Sequence, residues 1–110
     1  MAHFITFASY SQSGLKGLLD KPEDRAEALN SMIERVGGKL VALYNTTGRQ
    51  DVVLVSQAPD TADAVALSMA VSSSGTVSRV ETVRAWTGAE FIEVARKAAE
   101  LTSSYTPPGR

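Results

Sequence analysis

The stretch at residues 44–55, YNTTGRQDVVLV, constrains the fold more than any other. It sets a polar reversal marked by Gly48 between two apolar runs, residues 39–46 and 51–58. Two short runs rich in β-branched residues, separated by such a reversal, form adjacent antiparallel strands. Gly48 supplies the positive φ that a tight reversal needs and a β-branched residue adopts only under strain. Val52 to Val55 contain no polar position, which predicts a central strand covered on both faces. Asp51 stands at the mouth of that strand, so its role has to be settled between hairpin and site.

The flanks supply the rest of the order. Residues 3–10 read as a first strand and run into the polar turn SQSG. GLKGLLD forms at most a short helical turn, broken near Pro22. Asp20 with Glu23 has capping-box spacing and Pro22 occupies the tolerated first turn, which predicts a helix starting there. Ala26, Leu29, Ile33 and Val36 form its apolar stripe, and Gly37-Gly38 ends it. Beyond the hairpin, Pro59-Asp60 stops the strand and caps a second helix whose AVALSMAV core is apolar around most of its circumference. That helix should be well buried, with Met32 and Met69 as core filler. Residues 76–86 are a fourth strand, and Thr87 with Glu90 forms a capping box for a third helix reaching about Leu101. Residues 1–101 therefore make one domain, and 102–110 a flexible tail.

The order β-α-β-β-α-β plus a C-terminal helix is an α+β, ferredoxin-like arrangement, because right-handed crossovers place strands one and three at the centre of an antiparallel sheet. Two helices cover one face only. The other face would show Val, Ile, Phe and Leu to water, too much apolar surface for a monomer, and a second sheet is its natural cover. A homodimer is the expectation.

Composition narrows the functions. The 110 residues carry a formal net charge of -1, so no global positive field recruits nucleic acid or an anionic membrane. With no cysteine, thiolate nucleophiles, disulfides and sulfur-ligated metals are excluded. The N-terminus lacks the pattern of a signal peptide or a membrane span, and a cytoplasmic home fits. Gly37-Gly38 precedes a strand, the reverse of a dinucleotide or P-loop signature. The serines of SSSG have no histidine nearby to activate them. Phe4 and Phe7 point to opposite faces, so the sheet lacks the aromatic platform of an RNA binder.

Strand polarity sorts the remaining polar residues onto two edges. One gathers Ser9, Tyr10, Tyr44, Asn45, Asp51 and Arg79. There Asp51 is a candidate base or ligand acceptor, with Tyr10, Tyr44, Asn45 and Arg79 to orient a small molecule. Turn aspartates more often accept from turn amides, and that reading is preferred. The opposite edge gathers His3, Lys39, Arg84 and Trp86. His3 is the single histidine and has no companion ligand, so it is read as an exposed strand residue, and no metal or cofactor is expected. Arg84 and Trp86, two apart, share a face on which a guanidinium over indole would hold an anion or a flat ring, or simply pack.

Several stretches together resemble the GYD-domain proteins, small bacterial members of the dimeric α/β-barrel superfamily. They are SGL after the first strand, RAEAL with MIERVGGKLVALYNTTG, DVVLVSQAPD, and VETVRAWTGAEF. The family takes its name from a Gly-Tyr-Asp pattern in the central hairpin; here Gly48 and Asp51 match, and Gln50 occupies the tyrosine position. The resemblance implies a dimeric α/β barrel, a homodimer or oligomer of dimers, and a small-molecule pocket between sheet and helices. Superfamily relatives include cofactor-less monooxygenases, isomerases and haem enzymes. The expectation is therefore a small-molecule-binding or interaction module, with a cofactor-independent oxygenase or isomerase on a small hydrophobic substrate, or a purely structural assembly module, as alternatives.

Overall fold

A computed structural model describes all 110 residues. Four strands, β1 (Ala2–Tyr10), β2 (Lys39–Asn45), β3 (Val52–Ala58) and β4 (Val77–Ala85), form one sheet in the order β2-β3-β1-β4. Every neighbouring pair is antiparallel. Four helices complete the chain: α1 (Gln12–Asp20), α2 (Arg25–Glu34), α3 (Thr61–Ser73) and α4 (Gly88–Leu101), the last followed by a 3-10 turn at Thr102–Ser104. This is the ferredoxin-like order, with β1 and β3 central as the right-handed crossovers require.

Local chemistry explains most boundaries. Asp60 accepts from the Ala62 and Asp63 amides, and Asp63 accepts from the Asp60 amide, a complete capping box. Thr87 and Glu90 form the same reciprocal pair at the start of α4. The expected box of Asp20 and Glu23 does not form. Asp20 is the last residue of α1, which is a nine-residue helix capped by Ser11 and not a single turn. Pro22 disfavours helical geometry at Lys21, and the chain re-enters a helix only where Asp24 accepts from the Ala26 amide. Pro22 thus lies in the connection between two helices.

The period of two on β1 sends Phe4, Thr6 and Ala8 to one face and Ile5 and Phe7 to the other. Register carries this across the sheet. Thr6 opposes Leu54 and Thr82, whereas Ile5 opposes Val55 and Val83. α2 packs on β2, and α3 on β4 and β3, so Phe4, Ala58 and Ala64 form the centre of the core. Asn30 fastens α2 to the sheet by accepting the Leu40 amide.

Only seven residues are buried, and two expectations fail, for α3 and for Met69. No helix of the chain covers the face of Val53 and Val55, because both crossovers lie on the face of Leu54. α3 buries only Ala64, leaving Val65 exposed. Met69, expected in the core, is 67% exposed, since a helix apolar all round turns only one side to one sheet. α4 departs furthest from a packed domain. It touches the 3-10 turn after it and makes no comparable contact with the sheet, and the molecule is 60 Å long with a radius of gyration of 17.6 Å. A folded domain of this length has a radius of about 13 Å.

Candidate functional site

The face of the sheet that α1, α2 and α3 cover is not filled. A cavity of about 370 Å³ lies between them, floored by Thr6, Ala8, Val52, Leu54 and Val80. Leu18 of α1, Leu29 and Met32 of α2, and Leu67 and Val71 of α3 form its walls. Its volume falls in the range of small-molecule sites, and its lining is predominantly apolar as theirs is.

Polar atoms inside it are hydroxyls. Thr6 Oγ1 and Thr82 Oγ1 are 2.9 Å apart across the β1–β4 pair, and Thr82 Oγ1 lies 2.7 Å from Ser68 Oγ on α3. Ser68 Oγ donates to the Ala64 carbonyl at 3.1 Å. Each hydroxyl has one proton to give. With the Ser68 proton on Ala64, Ser68 accepts from Thr82, and Thr82 accepts from Thr6. The relay therefore ends at Thr6 with its remaining lone pair as an acceptor. Ser56, buried on β3, adds a further hydroxyl to the lining. Charge is confined to Lys21, Glu23 and Arg25, all exposed, with Arg25 Nη1 donating to Glu23 Oε1 at 2.6 Å.

Sequence reasoning missed this relay. Its signal was present, since Thr6, Ser56 and Thr82 sit on strand positions where alternation toward the helices calls for apolar side chains.

The residues predicted at the first edge are only partly gathered. Tyr10 lines the cavity, and its amide donates to Asp51 Oδ2 at 2.9 Å. The Asp51 amide donates to the Ala8 carbonyl, and its own carbonyl accepts from Thr46. Asp51 thus joins β1, β2 and β3 where the hairpin closes. Thr46 Oγ1 donates to the Gln50 carbonyl and Ser9 Oγ to Gln50 Oε1, so Gln50 is part of the same turn. Gly48 has φ +97° with open space where a Cβ would stand. Tyr44, 65% exposed, and Arg79 project from the helix-free face; Asn45 is exposed at the end of β2. None of these three lines the cavity.

The second edge is a tight cluster around the start of α4. Arg84 stacks on Trp86, its guanidinium carbon 4.5 Å from the ring centroid, and Trp86 meets Phe91 edge-on at 5.9 Å. Arg84 also donates to the carbonyls of His3 and Ala85. His3 is half-buried, not exposed as its terminal position suggested. Its Nε2 lies 3.0 Å from Gln57 Nε2, which makes Nε2 the acceptor and puts the neutral ring's proton on Nδ1, 3.5 Å from Glu90 Oε1. Nδ1 makes no hydrogen bond across that separation. The Thr87 amide and hydroxyl hold the Glu90 carboxyl below the usual range, with smaller contributions from His3 and Arg84. Arg84 of this cluster reaches the open recess between β4 and α3. Lys39 lies at the start of β2 on the same edge. No three His, Cys, Asp or Glu side chains gather to hold a metal ion, and no helix is long and apolar enough to cross a membrane.

Comparison with known structures confirms the fold. The crystal structure of FFRP-DM1 is similar with a TM-score of 0.55 at 13% identity, covering 78% of this chain and all of that one. TTHA0845 from Thermus thermophilus is similar with a TM-score of 0.51 at 19% identity, over 80% of this chain and 96% of that one. None of the curated proteins matches. The family model described as the GYD domain matches residues 4–95, and the chain belongs to that family.

Proposed function

We propose that this member of the GYD domain family is a homodimeric module that binds a small, uncharged and largely apolar molecule carrying a hydrogen-bond donor. The observation that carries the reading is the cavity over Thr6, Leu54 and Thr82. A helix-covered sheet face is where a domain of this size should concentrate its core, and this chain leaves room there for a ligand. The apolar walls favour a hydrophobic body. The relay supports one donor group on that body, because Thr6 offers an acceptor that an apolar molecule would leave unpaired. An anion is disfavoured, since the interior holds no cation and, at the exposed rim, Arg25 is paired with Glu23 and only Lys21 stands unpaired.

The helix-free face supports the homodimer. Ile5, Phe7, Val53, Val55 and Val83 form a continuous apolar patch on the two central strands and β4, and such patches mark interfaces.

A thermal-shift screen of the purified chain tests the binding reading, using small apolar alcohols and phenols against their methyl ethers. Donor-bearing compounds should raise the melting temperature and their ethers should not. Leu54→Phe, which extends a side chain from the cavity floor, should weaken that response at least tenfold while leaving the unliganded protein as stable or more so. If no compound stabilises the protein and Leu54→Phe destabilises it as overpacking does, the cavity is not a binding site.

A further inference from the structure

We propose that α4 is an exchanged arm, docking its apolar stripe on a second copy of the chain. The inference rests on the homodimer proposed above and adds to the sheet face a second apolar contact, made by a different element.

Phe91, Val94, Ala98 and Leu101 recur at spacings of three and four, so they line one side of α4, and Glu93, Arg96, Lys97 and Glu100 occupy the other. This is the pattern of a helix that buries one stripe. Yet α4 buries no residue: Phe91 is 49% and Leu101 65% exposed. An isolated helix of about 14 residues is marginal in water and draws its stability from packing. α4 therefore needs a surface that its own chain does not give it.

The anchor at its start decides against the chain's own sheet. Only Trp86 and Thr87 separate β4 from α4. Arg84 on Trp86, Trp86 against Phe91, and Glu90 beside His3 fix the first turn to the sheet edge. With that turn fixed the helix axis is fixed, and it leads away from the body, giving the 60 Å length. Folding back requires the whole cluster to break.

Surface area points to a second copy as the occupant. A folded monomer of 11.7 kDa exposes roughly 5,900 Å² by the usual scaling with mass. This chain exposes 7705 Å², an excess of roughly 1,800 Å², and obligate homodimers bury about 1,000–2,500 Å² per chain. The sheet face, roughly 19 by 23 Å from strand spacing and rise, supplies only a fraction of that excess. The arm supplies the missing part.

Val94→Glu with Leu101→Glu, made together in the full chain, tests the proposal. Both side chains are exposed in the single chain and glutamate is a good helix former, so the fold of one chain should be unchanged by far-UV dichroism. Sedimentation of a dilution series should show the wild type as a dimer and the double variant dissociating at concentrations at least tenfold higher. Equal dissociation of the two would overturn the arm and leave a dimer held by the sheet alone. A wild type that is monomeric throughout would overturn both. A second measurement needs no variant. Lys97 is the single lysine of α4, and Lys16, Lys21 and Lys39 lie on the body. In mixtures of light and isotopically heavy chains after subunit exchange, amine cross-links from Lys97 to the body should join light with heavy. Cross-links confined to one isotope would show α4 lying on its own chain and reject the exchange.

Discussion

Replacing Asp51 tests whether the hairpin or a ligand explains that residue. Its carboxylate takes the Tyr10 amide at 2.9 Å in a partly buried position, while its main chain bridges Ala8 and Thr46. Asp51→Ala removes the side-chain acceptor and leaves the two backbone bonds. The Tyr10 amide, at the end of a central strand, then loses its partner, and hydrogen bonds to charged groups contribute about 1.5–3 kcal/mol. Water can reach part of the site, so the lower end applies, about 1.5 kcal/mol. For a domain near 100 residues each kcal/mol shifts the melting temperature by about 4–8 °C, so Asp51→Ala should melt about 6–12 °C lower. Asp51→Asn keeps an acceptor oxygen and should lose less than half as much. Gly48→Val has space for its side chain but forces φ +97° on a β-branched residue, a strain of about 1–3 kcal/mol. Differential scanning calorimetry of the three variants measures the series. If Asp51→Ala melts within a degree or so of the wild type, the structural account of Asp51 fails. A ligand response abolished in Asp51→Asn at unchanged stability would instead make the charge a binding group.

Three further outcomes follow from other contacts. Gly14→Ala should destabilise by at least as much as ordinary overpacking, about 1–3 kcal/mol, because a Cβ there would stand 1.9 Å from the Thr76 carbonyl oxygen; a normal melting temperature would mean that α1 moves freely from that loop. Thr82→Val should change unliganded stability by about 1 kcal/mol or less but erase the preference for donor-bearing ligands over their ethers, read by thermal shift. Glu90 has its folded pKa lowered, so its contribution is present above the ordinary carboxylate pKa and is lost as pH falls through the lower folded value. Protection of the first-turn amides of α4, measured against their intrinsic exchange rates, should fall in that acid window, and Glu90→Gln should flatten the dependence.

What the chain reveals locally is legible in sequence, and what depends on assembly is not. Asp60 with Asp63 and Thr87 with Glu90 act within one helical turn, so their spacing is sufficient. Asp20 with Glu23 has the same spacing and fails, because a competing local bond commits Asp20 to the end of α1, where the Lys21 amide donates to Gly17. The relay joins positions 6, 68 and 82, which meet only after β1, α3 and β4 have packed. Alternation marks Thr6 and Thr82 as inward-facing, yet no pattern within either strand says that they face each other and a serine. The stripe of α4 is equally plain in sequence, but its lack of a surface is a property of direction, set by the Arg84–Trp86–Phe91 cluster.

The cavity and the arm are two consequences of one deficit. Seven buried residues among 110 leave little apolar burial to offset a backbone ordering cost of about 1–2 kcal/mol per residue. The proposed dimer and ligand would supply the missing burial from outside the chain. In the proposed assembly a second copy would cover the sheet face and α4, and a ligand would fill the space over Thr6 and Leu54. These contributions add to folding stability through mass action, since each binds only the folded chain. Ligand at 100 times its dissociation constant would contribute about 2.7 kcal/mol, comparable with filling a core position by mutation. The two would be coupled through β1 and β3, whose alternate residues face the cavity and the helix-free side: Thr6 points to one and Ile5 and Phe7 to the other. Order imposed on these strands from either side lowers the cost of ordering them from the other. Ligand binding should therefore tighten the dimer, and dilution into monomer should weaken the ligand by the same factor, as linkage requires.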